Sequence, residues 1–439
     1  MTTSLNNVFK NVKRDAQAGI ITGAMAIPLS AGICLMSDYP IRTGLITVVF
    51  ACIIGFISYL FKPGNYVGVP GVAAGLAPAL ALGVHSFGME NMAFVIFLTA
   101  SMQALAWKYE LHKYLLRYVP HYLVEGLLAG VGLKIALKFV PFLFDTIHHK
   151  ISIMDGEFVT IVFLSGISLM LFIFLFRRFS KTSPGIPYFA ILIVGILAAL
   201  FIDLPKVNVD NVPFKLALPI PHFEGMESSA IFFLLAKMVG FSAMLATIDI
   251  IEQVMSNVAI EKMDPLKRKC NTKNSLLSIW ISNIGASFFG GMTNLDGLAK
   301  STTNTLAGAI TKVSNLFVAL VVSIFIFFPN LLNFIPEFAL GVIMVFTGWK
   351  MIAGLKHVIH EGEYQLMLAI ICGLLVFQFG IFEGLLIALA LNGFIKISKY
   401  LTEEQAHKKI YAHILQRVQA DTRLNEKEYK EQTHTSMVE

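Results

Sequence analysis

The sequence predicts an all-α polytopic membrane protein, with about 14 transmembrane segments arranged as a seven-plus-seven inverted repeat. Three observations lead to that class. The chain has 439 residues, of which 56% are hydrophobic and 14% charged, and its mean hydropathy is +0.71. A soluble globular protein carries about 25% charged residues, and a single apolar core at this length cannot absorb the difference. Apolar runs near spanning length follow one another along the chain, broken by Gly, Pro and charges. Two of these segments, seven apart in order, are short and rich in glycine. A soluble enzyme is excluded.

The apolar runs fall at 17–36, 41–61, 69–84, 90–107, 119–144, 157–176 and 187–203 in a first half. In a second half they fall at 229–260, 275–290, 293–310, 314–333, 337–354, 365–378 and 380–398. The predicted organisation is therefore a polar N-terminus (1–16), a first repeat (17–203), a loop (204–228), a second repeat (229–398) and a tail (399–439). The N-terminus runs straight into a full-length span containing Pro28 with no small-residue cleavage pattern, so no cleaved signal peptide is expected.

An even number of spans places both termini on one side. The loops on that side hold Lys10, Lys13, Arg14, Lys62, Lys108, Lys113, Arg117, Arg177, Arg178, Lys181, the run from Lys262 to Lys273, Lys312, Lys350 and Lys356. The opposite side holds few: Arg42, Lys150, Lys206, Lys215 and, at a span's edge, Lys138. The positive-inside rule assigns the first set, with both termini, to the cytoplasm. The formal charge of +6 is then a matter of topology, and no nucleic-acid partner is expected. Cys34, Cys52, Cys270 and Cys372 stand singly, without metal-site or disulfide spacing.

The third segment begins GNYVGVPGVAAGLAPALALG from Gly64, and the tenth begins GGMTNLDGLAKSTTNTLAGA from Gly290. Broken segments at matching places in two halves point to a transporter with its site at the midplane, where free N–H groups and positive helix ends converge. The alternative is a pair of short packed helices without a ligand.

Ionisable residues inside spans are costly and mark functional sites. Asp249 and Glu252 lie deep in the eighth segment, LATIDIIEQVMSNVAIEK. Glu252 and Ser256, four apart, share a helical face suited to a cation, and burial would favour a proton on Glu252. Asp249 lies on a partly different face. In the tenth segment, Lys300 would attract an anion beyond a helix N-terminus, unless Asp296 four residues earlier pairs with it along one helix. Lys138 is expected to snorkel, and Lys134 and Lys237 are candidate partners for buried acids. His357, His360 and Glu361 read as a solvated turn, with a surface metal site as the minor reading. No nucleophile–base pair or metal motif suggests an enzyme.

From Asp15 to Lys399 the chain resembles the sulfate permease (SulP) family of inorganic anion transporters. The resemblance is carried by DAQAGIITGAMAIPLSAG with Pro28, the break at Pro70 and RYVPHYLVEGLLAGVGLKIAL from Arg117. It continues in EQVMSNVAIEKM from Glu252, FFGGM, LAGAITKVSN and FIPEFALGVIMVFTGWKMI. The resemblance implies core and gate domains and an anion site between the third and tenth helices. It implies a coupling-cation role for Glu252 with Ser256, and it places Lys300 where the family usually has arginine. Two departures stand out: Gly71 replaces a frequent hydroxyl residue, and Asn294, Leu295 and Asp296 replace small and hydroxyl residues. The family's usual C-terminal cytoplasmic anti-sigma-antagonist domain does not fit in about 40 residues. The tail, from the capping-box signature TEEQ at Thr402, is expected to form one amphipathic helix.

The expected function is secondary active transport of a small anion (bicarbonate, sulfate or a short carboxylate) by alternating access. The expected anion site comprises Val69, Pro70, Gly71, Val72, Leu295, Asp296, Gly297 and Lys300. Glu252, Ser256 and Asp249 are the expected coupling-ion residues, with Na⁺ or H⁺ as the ion and no other cofactor. The partners are the anion, the lipid bilayer and, by resemblance, a second copy in a homodimer; the expected location is a bacterial inner membrane. Two alternatives stay open: a nucleobase permease of the same fold, and a membrane anchor or sensor that does not transport.

Overall fold

The computed structural model describes residues 11–113, 120–144, 156–179, 186–202, 204–206, 216, 218–223, 227–379 and 383–397. The predicted tail helix lies outside the described residues. Each of the 14 apolar runs is an element. The first half comprises α1 (Val12–Met36), α2 (Ile41–Phe61), strand β1 (Pro70–Val72) leading to α3 (Ala77–Phe87), α4 (Met89–Lys108), α5 (His121–Phe144), α6 (Gly156–Phe179) and α7 (Ile186–Phe201). The second comprises α8 (Ser228–Met263), α9 (Thr272–Ser287), strand β2 (Asn294–Asp296) leading to α10 (Leu298–Leu306), α11 (Val313–Phe327), α12 (Glu337–Ala353) and α13 (Glu363–Phe379). A last helix, α14, spans 383–397. The two strand–helix elements occupy the third place in each half, as an inverted repeat requires.

Seven of these helices, one of them extended by a short turn, are long and apolar enough to cross a bilayer unaided. Others fall short. At about 1.5 Å per residue, the 16 residues of Ile186–Phe201 reach roughly 24 Å against a hydrocarbon core of about 30 Å. At 36 residues α8 is longer than any bilayer demands. It stops at Asp264, whose carboxylate accepts Arg268 Nε (2.8 Å), Nη2 (2.6 Å) and backbone N–H (2.7 Å).

Contacts divide Met1–Gly384 into two groups of helices. In one, α1 and α2 pack on α11, α2 also packs on α9, and α4 packs on α8 and α9. In the other, α5 packs on α12 and α13, and α6 on α7. These are the expected core and gate groupings, and the strand–helix elements belong to the first. Residues from Leu385 onward form a separate unit, of which the described part is the body of α14.

Polar side chains tie the first group together. Asp15, fully buried in the first turn of α1, accepts the N–H groups of Ile310 (2.7 Å) and Thr311 (3.0 Å) and the Thr311 hydroxyl (2.6 Å). It thereby satisfies donors just ahead of α11, where an α-helix leaves its N–H groups without intrahelical acceptors. Lys138 behaves as a snorkelling residue should, donating to the Met36 carbonyl at 2.8 Å and pairing with Asp38 at 3.2 Å.

Candidate functional site

β1 and β2 pair antiparallel in the register Pro70↔Asp296, Gly71↔Leu295 and Val72↔Asn294. All six residues are buried. Non-helical backbone at membrane depth is tolerated only where protein encloses it, and here each strand supplies a hydrogen-bonding edge to the other. α3 starts a few residues beyond β1 and α10 directly after β2, so two helix N-termini flank the crossing. Their first-turn N–H groups lack intrahelical acceptors and carry the positive end of the helix dipole.

Several of the backbone donors expected at the crossing already have acceptors. The Val69 N–H donates to Ser301 Oγ at 3.0 Å, the Asp296 N–H to Gln253 Oε1 at 2.9 Å, and the Gly297 N–H to the Val69 carbonyl at 3.1 Å. Pro70 has no N–H to offer. The first turn of α10, from Leu298 to Lys300, supplies donors that the helix itself cannot use.

Lys300 stands in that first turn with 1% exposure. Its ammonium donates to the Val72 carbonyl at 3.3 Å, and among the described residues no carboxylate lies within 4.0 Å of it. A cation at a helix N-terminus sits at the unfavourable end of the dipole, and burial without a counter-ion costs several kcal/mol. Gly71, with φ +151°, gives this ammonium room: a Cβ there would collide with Lys300 Nζ. The absent hydroxyl at position 71 is thus offset by a lysine filling the same space.

The helical pairing of Asp296 with Lys300 does not occur. Asp296 lies in β2, before α10 begins at Leu298, so the two residues do not share a helical face. Its carboxylate instead pairs with Lys312 at 3.3 Å and accepts Asn65 Nδ2 (2.6 Å) and Gln253 Nε2 (3.0 Å). Asp296 is thereby paired within the crossing, and Lys300 is left without a carboxylate partner among the described residues.

The three acidic and hydroxyl candidates of α8 separate by face. Glu252 is 8% exposed, and its Oε1 is buried with no hydrogen-bond partner among the described residues. It lies against the loop after β1, where a Cβ on Gly75 would collide with the carboxylate. Ser256, one turn on, is also buried. Asp249 faces elsewhere: its Oδ2 accepts Gln103 Nε2 of α4 at 2.5 Å and Asn283 Nδ2 of α9 at 3.2 Å. Lys237 lies over the Phe233 ring at 4.5 Å rather than beside either acid.

The sequence reading named Asn294 but passed over the other neutral amides that build this site: Asn65, Gln103, Gln253, Asn257 and Asn283. One signal was available, since Asp249, Gln253 and Asn257 recur every four residues along one face of a mostly apolar helix.

The sulfate permease family model matches residues 12–374. The chain belongs to the sulfate permease family. It is accordingly a multi-pass membrane protein. Among sulfate permease relatives, the chain is 24% identical over 353 residues to the putative sulfate transporter YvdB of Bacillus subtilis (strain 168), covering 77% of this chain and 64% of that protein. It is 21% identical over 339 residues to the bicarbonate transporter BicA of Picosynechococcus sp., covering 72% and 57%. It thus spans less than two thirds of the length of either relative. These relatives are named as transporters and not as enzymes. The transmembrane domain of a cyanobacterial BicA superposes with a TM-score of 0.69 at 18% identity, covering 87% of this chain and 97% of that one, so this family member shares its fold.

Proposed function

We propose that the protein is a secondary active transporter of a small anion, with bicarbonate, sulfate or a short carboxylate as the substrate range, working by alternating access. The observation that carries this reading is Lys300: a buried ammonium at a helix N-terminus that, among the described residues, has one carbonyl ligand and no carboxylate in reach. A bound anion would relieve the cation's burial and the dipole's misalignment together, and the first-turn N–H groups of α10 would complete its coordination. The sulfate and bicarbonate transporters among the relatives support an inorganic anion.

Glu252 supplies the complementary half. An anion on Lys300 leaves the Glu252 carboxylate as the remaining uncompensated charge beside the same loop, and Na⁺ or H⁺ on Glu252, with Ser256 as a further ligand for a metal ion, would neutralise it. With a monovalent anion such as bicarbonate, loading both ions leaves the Lys300 and Glu252 pair of sites without net charge, which favours moving it through a low-dielectric barrier. The loop charges support cytoplasmic termini.

The test is uptake of labelled bicarbonate, sulfate and fumarate into proteoliposomes under imposed Na⁺ and H⁺ gradients, with Lys300→Ala as the matched control. Gradient-driven uptake that disappears in the variant supports the proposal and names the ion. Folded protein that moves none of the three overturns it, and thermal stabilisation by uracil or xanthine would then direct attention to nucleobases.

A further inference from the structure

Asp249 is a buried carboxylate that the proposed coupling site does not use, and its surroundings form a relay. Its Oδ2 accepts from Gln103 and from Asn283. The Asn283 side chain is fixed a second time, because its Nδ2 also donates to Gln103 Oε1 at 2.9 Å. So held, Asn283 Oδ1 accepts both the backbone N–H of Asn294 (2.8 Å) and its Nδ2 (2.6 Å). Asn294 Oδ1 in turn accepts the Ser282 hydroxyl at 2.9 Å. Asn294 is the first residue of β2 and faces Val72, whose carbonyl receives the Lys300 ammonium.

The other end of β2 is held from the same face of α8. Gln253, one turn beyond Asp249, grips Asp296 twice, through its backbone N–H and its carboxylate. Asn257, a further turn on, accepts Gln253 Nε2, Asn65 Nδ2 and Ser275 Oγ. Asn294 and Asp296 are two of the residues that depart from the small and hydroxyl types expected at the start of the tenth helix. Asn294 is the point at which α9 holds the strand, and Asp296 the point at which α8 does.

We propose that Asp249 is a positioning residue for the anion site, acting through Asn283 and Asn294 on β2, and not a ligand of the coupling cation. The proposal rests on the anion-transport reading above. A positioning acceptor and a cation ligand respond differently to loss of charge. The carboxamide oxygen of Asn at 249 still accepts both amide donors, whereas Ala leaves Gln103 and Asn283 without an acceptor in a buried site.

The experiment is proteoliposome uptake by the full chain, with anion KM, kcat and the half-saturating Na⁺ or H⁺ concentration measured for wild type, Asp249→Ala, Asp249→Asn and Asn294→Ala. The expected result is an anion KM raised about tenfold in Asp249→Ala and Asn294→Ala, corresponding to the loss of a buried hydrogen-bond anchor. Cation half-saturation stays unchanged in both, and anion KM is largely recovered in Asp249→Asn. Asn294→Ala cuts the relay at its far end, so it carries the test where Asp249→Ala does not fold. Loss of cation dependence in Asp249→Asn overturns the proposal and makes Asp249 a cation ligand, and so does an anion KM unmoved in Asn294→Ala. A wild type that moves no anion overturns the transport reading itself, which separates the two failures.

Discussion

Gly71 and Lys300 compete for one volume: the ammonium of the lysine occupies the place where a side chain on residue 71 would stand. The two belong to opposite halves of the repeat, and the missing Cβ on β1 admits the charge from α10, the helix that follows β2. The Val72 carbonyl, next along the chain, is then the ammonium's ligand.

Gly71→Ala should therefore weaken anion transport without abolishing the fold. The new methyl displaces Lys300 Nζ and sits at φ +151°, a backbone conformation that L side chains seldom adopt. A rise in anion KM of about tenfold is expected, the scale of one lost charge-assisted contact. Uptake kinetics in proteoliposomes measure it; an unchanged KM would show that Lys300 does not need its present position.

Glu252→Gln should abolish the dependence of uptake on the coupling cation while the protein still folds. The substitution keeps the shape that fits against Gly75 and removes the charge that a cation or proton would neutralise. The readout is uptake against Na⁺ concentration and against external pH. Unaltered dependence on both would remove Glu252 from the coupling role.

The order of segments was legible because spanning helices announce themselves as apolar runs, and the two broken segments because Gly and Pro interrupt theirs; that each opens on a strand, β2 being Asn-Leu-Asp, was not. Glu252 and Lys300 were conspicuous as charges in apolar surroundings. Partnerships were not legible. Asp296 and Lys300 have helical spacing, but the helix begins at Leu298, and no local pattern announces a two-residue delay. Lys312 counted as a loop lysine, yet it is buried and turns to Asp296. The link from Gln103 to Asn283 joins residues 180 positions apart, and neutral amides in a single sequence carry no sign of their partners.

Lys312 and Asp296 form a buried pair, so removing one member should cost more than removing both. Lys312→Met leaves the Asp296 carboxylate with Asn65 and Gln253 as its remaining side-chain partners among the described residues. Loss of one partner of such a pair is typically worth about 3–5 kcal/mol. Thermal melts in detergent should show a large drop for Lys312→Met and substantial recovery in the double variant Lys312→Met/Asp296→Asn. Additive losses would mean that the pair contributes nothing as a pair.

Acid should erase one tie between α4 and α9. Glu110, just past the end of α4, pairs with Lys113 and, at 2.6 Å, with Lys273 near the start of α9. Hydrogen bonds from Lys113 and Lys273, reinforced by their charges, hold its carboxyl down at about 2, against an ordinary value of 4.5. A carboxyl depressed in the folded state stabilises it above the unfolded value and loses that contribution as pH falls toward the folded one. The melting temperature of Glu110→Gln should therefore lie below that of the wild type at pH 7. The gap should narrow as pH drops from about 4.5 toward about 2. Glu110 is exposed, so the gap is small and should shrink further in high salt. A gap that held constant from pH 7 to pH 3 would show that the glutamate contributes by packing rather than by charge.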